Sequence, residues 1–597
     1  MNAIRPRRDT PPPAPLPMPA QRFDRGQLAP HPGVAGVARR RALVLAAALA
    51  LTALAAGLLA AGLGGDGWQW PDLLAMPVFL LLFARLALSA ASTVAGWLHR
   101  PAQPPAPGPL RSRTALLLPL HNEDTAMVFA TADATREALA QAGLAAHFDL
   151  FLLSDSTDPA CQVREAEAAE RLRARHPEGV FYRRRLENSG KKAGNVADWV
   201  RRHGAAYEHF VILDADSVME PATLHALAAM MEADRRAGLV QTLPLLAGGR
   251  SRFARMQQWA ARAHGPAIAR GLVAWHGEAG NYWGHNAIIR TEAFAAAAGL
   301  PELPGRRPFG GPVMSHDFVE AALLRRAGWG VHMAPGLGGS WEAGPPTLAA
   351  AAARDRRWCQ GNIQHAALLA APGLHPLSRL HLLDGMLAYL ASPLWLALLA
   401  LGAVQAVMGL AQPGAALLAL TFALLLLPKL PGLRLSARGA ALELAFTTAL
   451  APLGMVTQSR QVWDILRGRD SGWAAQGREG AVPPWRTALR QHGAHMALSA
   501  LLLLPALAAP AALPWLLPVA LPLLASPALA RFMARPCRLA GFRTPEEAAP
   551  APLLRRAATL RQAWMLELGL APALPPRPAA WPVLEAALAA PPMRMAA

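Results

Sequence analysis

The fold class that the sequence predicts is an α/β domain with a mostly parallel sheet, inserted in an α-helical transmembrane bundle of about six spans. Three observations lead there. Long Ala/Leu-rich runs lie on both sides of a charged middle region, in a chain of 597 residues that is 53% hydrophobic. Within that middle region, short apolar runs alternate with helical stretches, the pattern of strand–helix units in a parallel sheet. One such run, "HFVILDADSVMEP" from His209 to Pro221, leads a buried strand directly onto Asp214 and Asp216. Ligands of open α/β sheets bind at the carboxyl ends of strands, so both carboxylates emerge where a ligand is expected.

Composition narrows the partners. The formal net charge is +19, which raises nucleic acid as a ligand. The arginines are spread along loops and beside apolar spans, with no basic stripe interleaved with aromatics, so nucleic-acid binding is not expected. Positive loops on the cytoplasmic face of a membrane account for the excess. Cys161, Cys359 and Cys537 are too widely spaced for a disulfide framework or a zinc site. Lysine occurs only as Lys191, Lys192 and Lys429 in an otherwise arginine-rich chain. The adjacent pair stands out, because a compact ammonium is not interchangeable with a planar guanidinium.

In chain order, residues 1–40 are rich in proline and arginine and read as a disordered cytoplasmic tail. Residues 41–99 read as a transmembrane hairpin, its apolar runs at about 42–63 and 72–98, with Arg85 inside the second. A charge at that depth must snorkel or find a polar partner. The proline-rich linker "RPAQPPAPGPLRSR" then opens a cytosolic domain over 110–375. Its expected strands are 115–120, 148–153, 209–213 and 237–243, and Asp158 to Arg175 is helical. No G-x-G-x-x-G follows the first strand, which disfavours a dinucleotide cofactor. Residues 384–531 return to membrane character, with spans at about 385–409, 413–430, 493–511 and 513–531. The run 439–458 has basic residues at both ends and is expected to lie in the interface, followed by a cytoplasmic loop at 459–492. Residues 532–597 read as a cytoplasmic tail.

Six further motifs accompany the D-x-D. "PLHNED" places Asn122, Glu123 and Asp124 after the first strand, and "LLSDSTDP" places Asp155 and Asp158 after the second. Each alone reads equally as a turn or helix cap. Together with Asp214 and Asp216 they crowd five or more carboxylates at one sheet edge, an arrangement that needs cations or hydrogen-bond donors to offset repulsion. "NSGKKAGN" (188–195) supplies a glycine-flanked lysine pair that can approach phosphates closely. A metal-bridged nucleoside diphosphate reconciles the two charge clusters, because Mg²⁺ or Mn²⁺ is held by one or two carboxylates plus substrate phosphates. "GHNAIIR" (284–290) contributes His285 and Asn286. In "VMSHDFVEAALLRRAGW" (313–329), Asp317 opens an amphipathic helix and reads as a cap or as a general base. "RDRRWCQGN" (354–362) sets Trp358 beside Arg356 and Arg357, which suits stacking on a sugar and neutralising a diphosphate.

The order "HNE", "DSTD", "GKKAGN", "DAD", "GHN", "SHDFVEA", "RRWCQGN" resembles the processive membrane glycosyltransferases of family 2. Within them it is similar to the glucans biosynthesis glucosyltransferase H family, which makes the backbone of osmoregulated periplasmic glucans in Gram-negative bacteria. The likeness covers about residues 110–370. It implies a glycosyltransferase A-type Rossmann-like cytosolic domain that uses UDP-glucose with Mg²⁺ or Mn²⁺. By motif position, Glu123, Asp155 and Lys192 would hold the uridine diphosphate, and Asp214 and Asp216 would carry the metal. His285, Asn286, Arg357 and Trp358 would complete the substrate contacts together with Asp214. Asp317 stands at the base position of a T-E-D motif, here Ser315-His316-Asp317, and Arg354 replaces the Gln of Q-x-x-R-W. "GWAAQGRE" (472–479) resembles a cytoplasmic segment that gates the site.

The implied reaction is inverting, builds β-1,2 linkages and is coupled to export from a multi-pass protein of the bacterial inner membrane, its catalytic domain cytosolic. The implied partners are UDP-glucose, the growing glucan, the lipid bilayer, an acyl carrier protein and a periplasmic glucan-processing protein. A cellulose- or curdlan-like synthase would share every site residue. A transporter with a nucleotide-sensing domain would need polar residues at mid-membrane, and the spans carry few.

Overall fold

The computed structural model describes residues 11–99, 108–469, 480–537 and 540–570. The strands, in chain order, are β1 (Thr114–Leu120), β2 (Phe148–Ser154), β3 (Val180–Arg184), β4 (His209–Ile212), β5 (Val218–Met219), β6 (Ala237–Thr242), β7 (Leu245–Ala247), β8 (Ala287–Arg290), β9 (Glu302–Leu303), β10 (Gly311–Pro312), β11 (Gly330–Ala334) and β12 (Ser340–Ala343). Seven of them form one sheet in the order β11-β6-β8-β4-β1-β2-β3. Only β8 runs antiparallel to its neighbours, so the sheet is mixed and mostly parallel.

Period-two alternation explains the near-continuous apolar runs. Leu116, Leu118 and Leu120 of β1 face one buried layer with Phe129, Leu150 and Leu152, while Ala115 and Leu117 face a second with Phe151, Trp199 and Phe210. A strand covered on both faces has no solvent side on which to place polar residues. The chain moves outward from β1 through β2 to β3 on one side, and β4 pairs on the other side of β1. That reversal is the topological switch point, and β1, β2 and β4 all end there. Pairing of Leu120 with Ser154 sets His121 and Asp155 side by side as the chain leaves the sheet.

Helices long and apolar enough to cross a membrane are Val37–Leu63 with its short extension to Asp66, Trp70–Leu98, Pro376–Val407 and Ala437–Leu466. At about 1.5 Å per residue each exceeds the roughly 30 Å hydrocarbon core. Leu513–Leu524 and Ser526–Ala534 meet at a 57° bend and qualify only as a pair. The described residues thus contain four such helices, or five with the bent pair, where the sequence suggests six. Ala415–Lys429 is shorter, and Trp485–Leu503 carries Arg486 and Arg490 in its first turns. The segment 439–458, expected in the interface on its basic flanks, lies inside the 30-residue helix Ala437–Leu466, and its Glu443 pairs with Lys429 at 2.6 Å. Arg85 finds a polar partner in Asp384 of the helix Pro376–Val407, at 2.7 Å.

Among the described residues, 11–36 and 552–567 pack on the α/β domain, where composition suggests tails. Residues 11–36 hold no strand and enter a helix only at Val37, yet they run along the α/β domain with backbone bonds from Ala14 to Arg202, Gln21 to Gly299 and Ala29 to Arg326. Met18 is buried in the second core layer, and Leu16 packs beside it. Proline removes helix and strand periodicity without preventing an extended segment from docking. At the other end, the helix Pro552–Glu567 lies against the helix Thr125–Gln141 and buries Leu553, Leu560 and Trp564 in the first layer. The expected gate at 472–479 lies outside the described residues.

Candidate active site

Above the switch point a cavity of about 390 Å³ is lined by Glu123, Asp155, Lys192, Asp214, Asp216, His285, Asp317, Arg357 and Trp358. Each arrives from a different local device. Asp214 and Asp216 leave β4 in a turn closed by the Asp214 N–H donating to Ser217 Oγ at 2.9 Å and the Ser217 N–H donating back to the Asp214 carbonyl at 2.9 Å. Lys192 lies in the first turn of the helix Lys191–His203, which Gly190 and Lys191 enter at positive φ. Its ammonium pairs with the Asp214 carboxylate and donates to the Gly284 carbonyl at 2.8 Å. Gly194 is fixed by contact, because a Cβ there would stand 2.0 Å from the Ser189 carbonyl oxygen.

Asp155 is buried and held by both guanidinium arms of Arg185, at 2.7 and 2.6 Å. Arg185 also donates to the carbonyls of Ser189 and Lys191, so it ties the carboxylate to the lysine loop. Asp317 stands in the first turn of the helix His316–Arg326. A Cβ on Gly284 would lie 3.4 Å from Asp317 Oδ2, which brings the G-H-N turn against this carboxylate. Arg354, Arg357 and Trp358 come from the helix Leu348–Gln364, where the Arg354 guanidinium stacks over the Trp358 ring at 4.5 Å. Burial and Arg354 pull the Arg357 guanidinium below its ordinary pKa, while Glu123 and Asp214 oppose the fall.

A second cavity, of about 850 Å³, opens from the same place. Trp283, His285, Ser315, Asp317, Glu342 and Trp358 line both. It continues between the helices Trp70–Leu98 and Pro376–Val407, past Ser89, Ser92, Tyr389 and the Arg85–Asp384 pair.

Residues 117–296 match the family described as Glycosyl transferase family 2, and 209–428 match Glycosyl transferase family group 2. Among full-length relatives, a glucans biosynthesis glucosyltransferase H of Xylella fastidiosa (strain 9a5c) is 42% identical over 93% of this chain and 96% of its own. One of Xanthomonas oryzae pv. oryzae (strain MAFF 311018) is 42% identical over 94% and 96%, and one of Rhodopseudomonas palustris (strain BisA53) 43% identical over 93% and 86%. The chain belongs to the glucans biosynthesis glucosyltransferase H family. It is an enzyme, a glucosyltransferase with a family 2 domain.

In this family member the G-H-N turn divides its labour. His285 lies 3.1 Å from Glu342. Burial favours the neutral ring, but the carboxylates of Asp214 and Glu342 outweigh it and hold the imidazole pKa up to about 9. Asn286, expected among the substrate contacts, is a correction: it does not line the cavity. It is fully buried at φ +51°, and its amide donates to Ser340 Oγ at 2.9 Å and to the Trp341 carbonyl at 3.3 Å. An Asn tolerates the left-handed turn that aims His285 forward, and its side chain fastens that turn to β12.

Sequence reasoning missed Arg185 and Glu342. Arg185 ends a run of three arginines that begins inside β3, and Glu342 sits in an unremarkable "SWEAG", so neither carries a local signal. Long-range pairing alone reveals them. Among the described residues no group of three or more His, Cys, Asp or Glu side chains is arranged to hold a metal. Asp214 and Asp216, facing the cavity two residues apart, are nonetheless the donor set a hard cation takes when phosphate oxygens and water complete the shell. Asp216 also accepts the Ala343 N–H at 3.3 Å, which orients it.

Proposed function

We propose that the protein polymerises glucose from UDP-glucose into the β-1,2-linked backbone of osmoregulated periplasmic glucans, by inverting transfer at the cytosolic face of the bacterial inner membrane. The observation that carries this reading is the shared wall of the two cavities: the candidate base Asp317 borders both the acid- and lysine-lined chamber and the channel between the apolar helices. A donor nucleotide in the first and an acceptor chain in the second would meet at Asp317.

Glu123, Asp155 and Lys192 bind the uridine diphosphate, with Lys192 and Arg357 supplying positive charge where the diphosphate departs. Asp214 and Asp216 would hold Mg²⁺ or Mn²⁺, which stabilises charge on the leaving group. Trp358 presents an aromatic face to the sugar. Asp317 takes the proton of the acceptor hydroxyl as that oxygen attacks the anomeric carbon; the bond from that carbon to the diphosphate oxygen breaks and UDP leaves. The lengthened chain moves on into the second cavity, toward the far side of the membrane.

Asp317→Asn keeps the shape of the side chain and removes the base. Membranes carrying it are expected to lose incorporation of labelled glucose while the purified variant still binds UDP. Near-normal incorporation would remove Asp317 from this role.

A further inference from the structure

Behind the nucleotide-facing loops lies a buried carboxylate that the mechanism above does not use. Glu165 projects from the helix Pro159–Arg175 and is 1% exposed. Donors from several elements converge on it. Ser154 Oγ at 2.5 Å and Ser156 Oγ at 2.6 Å donate from the two residues that flank Asp155. Tyr182 OH donates from β3 at 3.2 Å, and Cys161 Sγ from the preceding helical turn at 3.4 Å. The network reaches the other loop as well. Ser156 Oγ accepts the Asn122 N–H at 2.8 Å, and Cys161 Sγ lies 3.8 Å from the Glu123 carbonyl oxygen.

The chemistry suits a carboxylate and little else. An ionised carboxylate offers about four acceptor sites and no donor, so hydroxyls and a thiol can all point at it in one arrangement. Burial, then Glu165 itself, push the Cys161 thiol up to about 11; the same causes raise the Tyr182 hydroxyl to about 12, so both stay protonated donors near neutrality. A buried carboxylate held by neutral groups is a costly way to fill a core position. What it secures is the relative placement of two loops, 121–124 and 154–158, each bearing one acid of the cavity wall.

We infer that Glu165 is a positioning residue for the donor: it fixes Asp155 and Glu123 against one another, and binding of the UDP moiety depends on it. The inference rests on the reading of those two acids as nucleotide contacts given above. Group-holding residues of this kind act on affinity through the residues they orient, without touching ligand.

The test uses the full chain purified in detergent, with UDP release as the kinetic readout and calorimetric titration of UDP as the binding readout. Glu165→Gln preserves volume but adds an amide donor facing the hydroxyls. It should raise the KM for UDP-glucose and the Kd for UDP together, by about tenfold or more, with kcat at saturating donor nearly unchanged. Glu165→Asp, which restores the charge on a shorter arm, should recover part of the affinity. If Glu165→Gln fails to fold, Ser156→Ala cuts one arm alone and must still weaken UDP binding. A lower melting temperature with unchanged KM and Kd in these variants would make Glu165 a packing residue and overturn the inference. Wild-type protein that binds no UDP would overturn the donor reading as well, and the two failures are thereby distinguishable.

Discussion

At the residue scale, the position of Asp317 depends on a side chain that is absent. Gly361, in "RRWCQGN", packs the helix Leu348–Gln364 onto the turn that precedes Asp317, and a Cβ there would stand 2.2 Å from Ser315 Oγ and 2.6 Å from Ser315 N. Backbone cannot yield to that overlap, so Gly361→Ala must displace the Ser315–Asp317 turn. A shift near 1 Å at a reacting group costs on the order of a hundredfold in rate. We expect kcat to fall by about that factor with UDP affinity unchanged, measured by UDP release and by titration. Equal loss of UDP affinity would place the damage elsewhere. Asn286 teaches the complementary lesson. Its motif was visible in the sequence, but whether an Asn in a buried turn faces ligand or backbone is decided by where Ser340 and Trp341 arrive, some fifty residues away.

At the scale of elements, the helix Pro552–Glu567 clasps the helix Thr125–Gln141. Trp564 is fully buried, contacts Phe129, and donates its indole N–H to Asp133 at 3.1 Å; Arg175 stacks on its ring and pairs with the same acid at 2.6 Å. Trp564→Ala should destabilise the α/β domain by about 3–5 kcal/mol, the usual cost of an aromatic lost from a core. Thermal unfolding of the purified chain checks this; an unchanged melting temperature would mean that the helix is only loosely held. The pattern was present in the sequence, since Leu553, Leu560 and Trp564 recur at helical spacing, but a stripe says only that a face is apolar and not what covers it. β4 adds a pH dependence. His209, at its start, is buried away from partners, and burial lowers its pKa from 6.5 to about 4. His365 is lowered to about 4 by the same cause. Groups kept neutral in the folded state favour folding above the unfolded pKa, and that contribution is lost as pH falls from about 6.5 toward 4. The melting temperature should therefore drop on acidification through this window. His209→Phe should flatten the drop; an identical profile in the variant would exclude His209 as a source.

At the scale of the whole molecule, the chamber lined by acids and Lys192 opens directly into a cavity between two long apolar helices. The helix Arg252–His276 makes the join by close backbone approach: a Cβ on Gly96 of the helix Trp70–Leu98 would stand 2.4 Å from the Gly271 nitrogen. The α/β class, the switch-point acids and the lysine pair were legible because strand periodicity and motif order are local properties of the chain. The extent of the helix Ala437–Leu466 was not, because basic flanks mark the ends of a segment and do not say whether one helix runs on beyond them. The docked segment 11–36 was equally hidden, since an extended proline-rich run has the same composition whether it packs or not.

The most direct test of the account is to incubate the purified full chain with UDP-glucose, with and without Mg²⁺, and to measure UDP release and the linkage of the product. The account predicts metal-dependent release of UDP together with a β-1,2-linked glucan, both abolished by EDTA and restored by added Mg²⁺ or Mn²⁺. Absence of UDP release in the presence of either cation, or release of UDP with a glucan of another linkage, would contradict it.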